Sequence, residues 1–200
     1  DMNEPLASAA GNAVEVTNAV EFLTGAHRDP RLETVTLALA AEMLVVSGVE
    51  EDPAMALSRT HEALDNGRAA EMFGRMVTVL GGPADFVEKH DGYLEKAPLT
   101  AAVEAPRAGH VQTIDTRAVG VAVVELGGGR RRREDAIDHA VGVTGLKPVG
   151  AKLEQGEPLA VVHARDEAAL EAARQAVLDA YAMAENAPEI SDPVAQRIIG

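Results

Sequence analysis

The stretch VGVAVVELGGGRRRREDAIDHAVG, residues Val119 to Gly142, says most about how this chain folds and what it contacts. An apolar run of helical character ends in three glycines, four arginines follow, and an acidic stretch predicts a short helix over Glu134 to Ala140. Because Gly127 to Gly129 carry no Cβ, we expect the arginines to lie on a segment that can move. In a chain of formal net charge −14, four adjacent positive charges indicate contact with an acidic surface or an anionic ligand. A solvated surface loop is the alternative interpretation.

Composition limits the possible functions. Aromatic residues make up 2% of the chain and tryptophan is absent, so the core must consist of Ala, Val, Leu and Ile. The absence of cysteine excludes disulfides and thiolate metal sites and suits the reducing cytoplasm, where we expect the protein. A pI near 4.8 argues against nucleic-acid binding, which depends on broad positive charge. No apolar stretch reaches the roughly 18 to 20 residues that span a bilayer, so we expect no membrane contact.

The first half of the chain predicts four helices. Asn12 is expected to cap the first, and the pairs Asp29-Pro30 and Asp52-Pro53 give the next two a cap followed by a proline. Apolar residues recur at helical spacing in each segment, as in helices that pack on a sheet or on one another. The predicted ranges are 13–23, 30–48, 53–66 and 68–80.

Near Pro98 the residue pattern changes from one typical of helices to one typical of strands. Thr116 is expected to cap the apolar helix that ends at the glycines, and Asp166 to cap an alanine-rich helix that runs to about Ala184. The predicted strands cover 99–104, 110–115 and 159–163. The tail from Pro188 to Gly200 reads as a loop with a final short strand.

Few residues suggest chemistry by themselves. The six histidines have no metal-binding spacing, and we interpret His139 and His163 as hydrogen-bonded core residues. The carboxylates of Glu134, Asp135 and Asp138 fit the first turns of a helix, where negative charge is favourable. The Gly11-Asn12 loop leads into a helix start and could present backbone N–H groups to an anion; an ordinary capped helix is the alternative.

Four blocks in the same order resemble thymidine phosphorylase and the related pyrimidine-nucleoside phosphorylases. They are DMN-PL with GNAVEV, then DNG-AAEMFGRMV, then TRAVG-AVV-LGGGRRR, and finally PLAVVHA-DE, which together cover nearly the whole chain. The resemblance implies an enzyme that cleaves thymidine or deoxyuridine with phosphate as co-substrate, as a homodimer. It also implies that this chain is the C-terminal portion and that a preceding segment holds the catalytic, phosphate-binding and base-binding residues. No catalytic residue is therefore assigned, and the chain alone is expected to be inactive.

The same resemblance implies a fold. Residues 1–98 would be the mostly helical end of a central α/β domain, with helices packed on a mixed sheet. Residues 99–187 would form a C-terminal α+β subdomain with half-barrel strands like those of biotinyl domains, and 188–200 a tail.

Two groups of residues carry site assignments through the resemblance. Backbone carbonyls of Leu6 and Ala9 and the side chain of Asn18 would form part of the shell of a potassium or similar ion; Asn18 stands where the family has glutamate. The loop that begins Gly127, Gly128, Gly129, Arg130, Arg131 and runs to Arg133 would act as a lid near the cleft mouth. No other cofactor is implied.

Two other functions remain open. The chain could be a binding or scaffold module derived from the phosphorylase C-terminal domain. The biotinyl-like strands also suggest a carrier domain with a modified lysine, but Lys152 lacks the neighbouring methionines of such domains.

Overall fold

A computed structural model of the chain describes residues 1–198, which divide into two compact units. The first comprises Asp1–Val16 together with the described residues from Leu94 onward, and we call it the sheet unit. The second comprises Thr17–Tyr93, and we call it the helical unit. No helix among residues 1–198 combines the length and apolar character needed to cross a bilayer.

The helical unit is built from five helices. Asp52 caps α3 by accepting a hydrogen bond from the Ala54 amide at 2.8 Å, and prolines occupy the first position of α2 and α3. Phe22, Leu37 and Leu64 form the buried core of this unit. The helices are α1 (Ala13–Thr24, which begins in the sheet unit), α2 (Pro30–Val46), α3 (Pro53–Asp65), α4 (Arg68–Val79) and α5 (Phe86–Tyr93).

The four helices predicted for the first half are confirmed to within two residues at each end, and α5 was not predicted. Phe86 anchors α5: it is buried and its ring lies 6.3 Å from that of Phe73 and 6.2 Å from that of Tyr93. The sequence signal for α5 is weak because the element is eight residues long and its backbone departs from helical angles at Lys89.

The sheet unit contains two small antiparallel sheets. A four-stranded sheet has the order β1-β4-β6-β2 and a three-stranded sheet the order β5-β3-β7. The strands are β1 (Ala10–Gly11), β2 (Leu99–Glu104), β3 (Gly109–Ile114), β4 (Gly142–Thr144), β5 (Lys152–Leu153), β6 (Pro158–Ala164) and β7 (Tyr181–Ala184). The mixture of helices and strands fits the predicted α/β class, but the expected mixed sheet is wrong for residues 1–198, because every strand pair there is antiparallel.

Two helices complete the sheet unit and share its core with the strands. They are α6 (Thr116–Val123), continued by a π-helical turn over Val124–Gly128, and α7 (Glu167–Ala180). Val111, Val143, Leu159, Val162 and Val177 are fully buried, with Ala packed between them. The aliphatic core expected from the composition is thus present, and it holds α6 and the turn after it in place.

Three local predictions in this unit are wrong. Residues 134–140 form irregular backbone between two turns rather than a helix, because the carboxylates of Asp135 and Asp138 bind other partners. The last helix stops at Ala180 instead of Ala184, since Tyr181 begins β7 opposite Ile114. Asp115, not Thr116, caps α6 by accepting from the Ala118 amide at 2.9 Å. In the tail, residues 188–198 contain no strand, and the last two residues lie outside the described range.

Candidate functional site: the arginine loop and its base

The arginine loop, defined as residues 127–138, leaves α6 through a tightly packed turn. Gly127 has a φ of 94°, a left-handed conformation that glycine adopts without strain. A Cβ on Gly128 would lie 2.9 Å from Val123 Cγ1 and 3.1 Å from the Val123 carbonyl oxygen, and one on Gly129 would lie 2.7 Å from Val124 Cγ2. The glycines therefore allow close packing at the start of the loop. The mobility expected from the sequence stays a prediction.

The base of the loop is closed at Asp138. Its amide donates to the Gly127 carbonyl at 2.9 Å, and its carboxylate accepts from the Ala140 amide at 3.0 Å. The Arg165 guanidinium binds the same carboxylate through two bonds, from Nε to Oδ2 at 2.6 Å and from Nη2 to Oδ1 at 2.9 Å. This guanidinium holds the pKa of Asp138 below its usual range, so the carboxylate is charged at neutral pH.

The tip of the loop is ordered by a second carboxylate. Asp135 Oδ2 accepts hydrogen bonds from the amides of Arg131 and Arg132, at 3.1 and 2.8 Å, and Arg131 also forms an ion pair with Glu125. The side chains of the other three arginines are exposed and form no ion pair with any residue in 1–198. The tip therefore presents the guanidinium groups of Arg130, Arg132 and Arg133, which form no ion pair among residues 1–198, on an ordered backbone.

The N-terminal segment packs against the start of this loop. The Asn12 side-chain amide donates to the Gly128 carbonyl at 2.8 Å across 116 residues of sequence, and the Ala13 amide donates to the His139 carbonyl at 3.0 Å. Gly11 pairs with Gly142 where β1 meets β4. The Asn12 carbonyl accepts hydrogen bonds from amides in the first turn of α1, as the carbonyl of a cap residue does. The Asn12 side chain donates to the loop and does not cap the helix. The GNAVEV and LGGGRRR blocks, distant in sequence, thus meet in one place.

Comparison with known proteins agrees with these blocks. Residues 110–184 match the family described as "Pyrimidine nucleoside phosphorylase C-terminal domain". A protein of Mesorhizobium japonicum named thymidine phosphorylase is 56% identical over 198 residues, which is 99% of this chain and 45% of that protein. The chain belongs to the pyrimidine-nucleoside phosphorylase family.

Two further relatives, also named thymidine phosphorylase, are similar along nearly the whole chain. That of Sinorhizobium medicae is 49% identical over 199 residues, covering 100% of this chain and 45% of the relative. The thymidine phosphorylase of Rhizobium meliloti is 51% identical over 188 residues, which cover 94% of this chain and 43% of that relative. The chain therefore spans less than half the length of these phosphorylases.

The residues predicted to bind a cation lie in different units and are described separately. In the sheet unit, Leu6 is 46% exposed and Ala9 is half-buried, on the segment that precedes β1. In the helical unit, Asn18 is buried and its amide donates to Asp29 Oδ2 at 3.3 Å. Among residues 1–198, no three His, Cys, Asp or Glu side chains converge as a metal site would require. The monovalent-cation shell stays a prediction.

The two histidines interpreted as core residues differ. His163 is half-buried in β6, and its Nε2 lies 2.8 Å from Thr144 Oγ1, so the predicted hydrogen bond is confirmed and the predicted burial is reached only in part. Burial lowers the pKa of His163, which keeps the imidazole neutral. The prediction for His139 is wrong: its side chain is exposed, and only its carbonyl takes part in packing.

Sequence reasoning missed Arg165, and it assigned Asp138 to a helix start. The two residues are 27 positions apart, and neither belongs to a motif that requires the other. A lone arginine directly after a buried strand was the available signal, because a charged side chain at that place needs a partner.

Proposed function

We propose that this chain is part of a pyrimidine-nucleoside phosphorylase that cleaves thymidine or deoxyuridine with inorganic phosphate. A phosphate oxygen would bond to the sugar C1′ as the bond from C1′ to the base nitrogen breaks. The nitrogen keeps the electron pair of that bond and gains the proton that phosphate loses, which gives 2-deoxyribose 1-phosphate and the free base. The observation that carries the proposal is the 49–56% identity, along almost the whole chain, to proteins named thymidine phosphorylase. The loop geometry alone would suit any anion.

In this proposal the arginine loop supports catalysis electrostatically. Arg130, Arg132 and Arg133 add positive charge near a phosphate-containing cleft and so raise the local concentration of the anion. The loop is attached at both ends to the core of the sheet unit, so its charges stay at a defined place while the tip adjusts. We propose that it closes over bound substrate as a lid and takes no direct part in bond making or breaking.

Several further features belong to the same proposal. The enzyme would act as a cytoplasmic homodimer in pyrimidine salvage, and a potassium ion near Leu6, Ala9 and Asn18 would be its only metal ion. The strands of the sheet unit would correspond to the half-barrels of biotinyl-like domains. This chain alone would be inactive, because no catalytic residue of the resemblance falls within it.

A pair of proteins tests the proposal. One is the chain alone, and the other is a chimera in which the chain replaces the matching 45% of the Mesorhizobium japonicum relative. Phosphate-dependent release of thymine from thymidine, followed by chromatography, is expected for the chimera and not for the chain. Turnover by a homogeneous sample of the chain would refute its predicted inactivity. A folded chimera that binds phosphate but releases no thymine would favour the binding or scaffold module.

A further inference from the structure

Arg165 occupies the junction between β6 and α7. It follows the last strand residue, Ala164, and precedes Asp166, whose side chain caps α7 by accepting from the Ala169 amide at 2.8 Å. Because both neighbours are held in regular structure, the origin of the Arg165 side chain is fixed.

The guanidinium of Arg165 joins two acidic residues. Besides its two bonds to Asp138, its Nη2 donates to Glu95 Oε1 at 2.5 Å. Two parallel bonds between a guanidinium and one carboxylate form the strongest type of side-chain ion pair, and lysine cannot reproduce this fork. Arg165 is 40% exposed and Asp138 is 23% exposed, so water screens the pair only in part.

Asp138 transmits this contact to the loop. The residue that accepts the fork through its side chain also closes the loop through its amide, which donates to Gly127. Asp138 therefore connects the Arg165 fork to the hydrogen bond that joins the two ends of the arginine loop. Neither carboxylate interaction involves the tip arginines, which stay available to an external anion.

We propose that Arg165 is a positioning residue: through Asp138 it holds the arginine loop in the conformation that binds phosphate. This inference rests on the proposed function of the loop. Arg165 is not assigned a catalytic role, since its contacts are with Asp138 and Glu95 alone among the residues described. Loss of the fork is expected to free the base of the loop and to weaken anion binding at its tip.

Limited digestion with trypsin tests whether loss of the fork frees the base of the loop. The exposed run Arg130 to Arg133 lies on the loop itself, and trypsin cleaves after arginine. The variants are Arg165→Lys, which keeps the charge but loses the fork, and Asp138→Asn, which keeps the acceptor for Ala140. The control is Arg174→Lys, because Arg174 in the same unit also binds a carboxylate, Glu171, at 2.8 Å, and its other hydrogen bond goes to the Ala102 carbonyl outside the loop. We expect both test variants to be cut in the run about tenfold faster, equivalent to about 1.4 kcal/mol, and the control to match the parent.

Inorganic phosphate supplies the second readout. For this readout the parent is the unsubstituted chimera described under the proposed function, because it supplies the preceding segment. Phosphate is expected to slow cleavage of the arginine run in that parent, and the half-protecting concentration should rise several-fold when the chimera carries Arg165→Lys but not when it carries Arg174→Lys. Equal cleavage rates, or equal half-protecting concentrations, in the parent and both test variants would overturn the inference. If Arg165→Lys lowers the melting temperature of the whole protein, the cleavage rate and the half-protecting phosphate concentration of Asp138→Asn decide instead. Absence of phosphate protection in the parent would refute the anion-binding role of the loop, and the inference about Arg165 would fall with it; protection that is equal in the parent and both test variants would refute the inference alone.

Discussion

Replacing Gly128 with alanine should destabilise the sheet unit through contacts that the structure defines. The added Cβ would lie 2.9 Å from Val123 Cγ1, 3.1 Å from the Val123 carbonyl oxygen and 3.3 Å from Val141 Cγ2. Val123 and Val141 are buried, and the carbonyl belongs to the backbone of the helix end, so none of the three can move freely. Overpacking of this kind costs about 1 to 3 kcal/mol. For a chain of this size that lowers the melting temperature by about 2 to 4 °C for each kcal/mol.

Gly120→Ala is the matched control, because it makes the same chemical change on α6, eight residues earlier. No atom lies within 4 Å of a Cβ at Gly120, and alanine in a helix interior is favoured over glycine by about 0.5 to 1 kcal/mol. Scanning calorimetry of the two variants and the parent is expected to show opposite shifts, downward for Gly128→Ala and upward for Gly120→Ala. A neutral or upward shift for Gly128→Ala would refute the packed turn. The glycine run would then be the mobile hinge that the sequence suggested.

Three further perturbations follow from single contacts. Asn12→Ala removes the hydrogen bond to the glycine run and should cost about 1 kcal/mol in urea unfolding, whereas Asn186→Ala, at an exposed asparagine, should cost nothing measurable. Because burial lowers the pKa of His163 in the folded state, its contribution to stability is complete above the unfolded value of about 6.5 and is lost as the pH falls toward the folded pKa; His163→Asn should flatten the stability profile between pH 7 and 5, and an unchanged slope would contradict this. Leu39 and Met43 on α2 are 61% and 67% exposed, so the chain should bind a hydrophobic dye, and a double change of both to serine should reduce the fluorescence; equal fluorescence would exclude this face as the binding site.

The parts of the fold that were predictable depend on local signals. An aspartate followed by proline marks the starts of α2 and α3. The Asp52 side chain caps α3, whereas Asp29 makes no side-chain cap hydrogen bond at α2, so that part of the prediction is wrong and the restricted φ of Pro30 remains as the local signal there. The strand over Leu99–Glu104 was also predicted with its observed bounds, from flanking turn residues and an apolar pattern. Such signals need no knowledge of the rest of the chain.

The parts that were not predictable depend on partners far along the sequence. Residues 134–140 have the composition of a helix start, yet Asp135 binds loop amides and Asp138 binds Arg165, and these contacts outweigh helix propensity. Tyr181 likewise leaves the helix to pair with β3, and its hydroxyl donates to the Lys147 carbonyl at 3.1 Å. The same distinction applies to the candidate site. The glycine–arginine run is a local motif and was evident from the sequence, whereas the distant residues that contact it were not.

Steady-state kinetics with varied phosphate test the central claim, that the arginine loop assists phosphate use in a pyrimidine-nucleoside phosphorylase. The test variant is the active chimera with Arg130, Arg132 and Arg133 all changed to serine, and the control is Arg117→Ser, at an exposed arginine on α6 outside the loop. The loop variant is expected to raise the KM for phosphate about tenfold, equivalent to about 1.4 kcal/mol, while the control matches the parent. Unchanged kinetics in the loop variant would contradict the claim and leave the four arginines as a solvated surface loop.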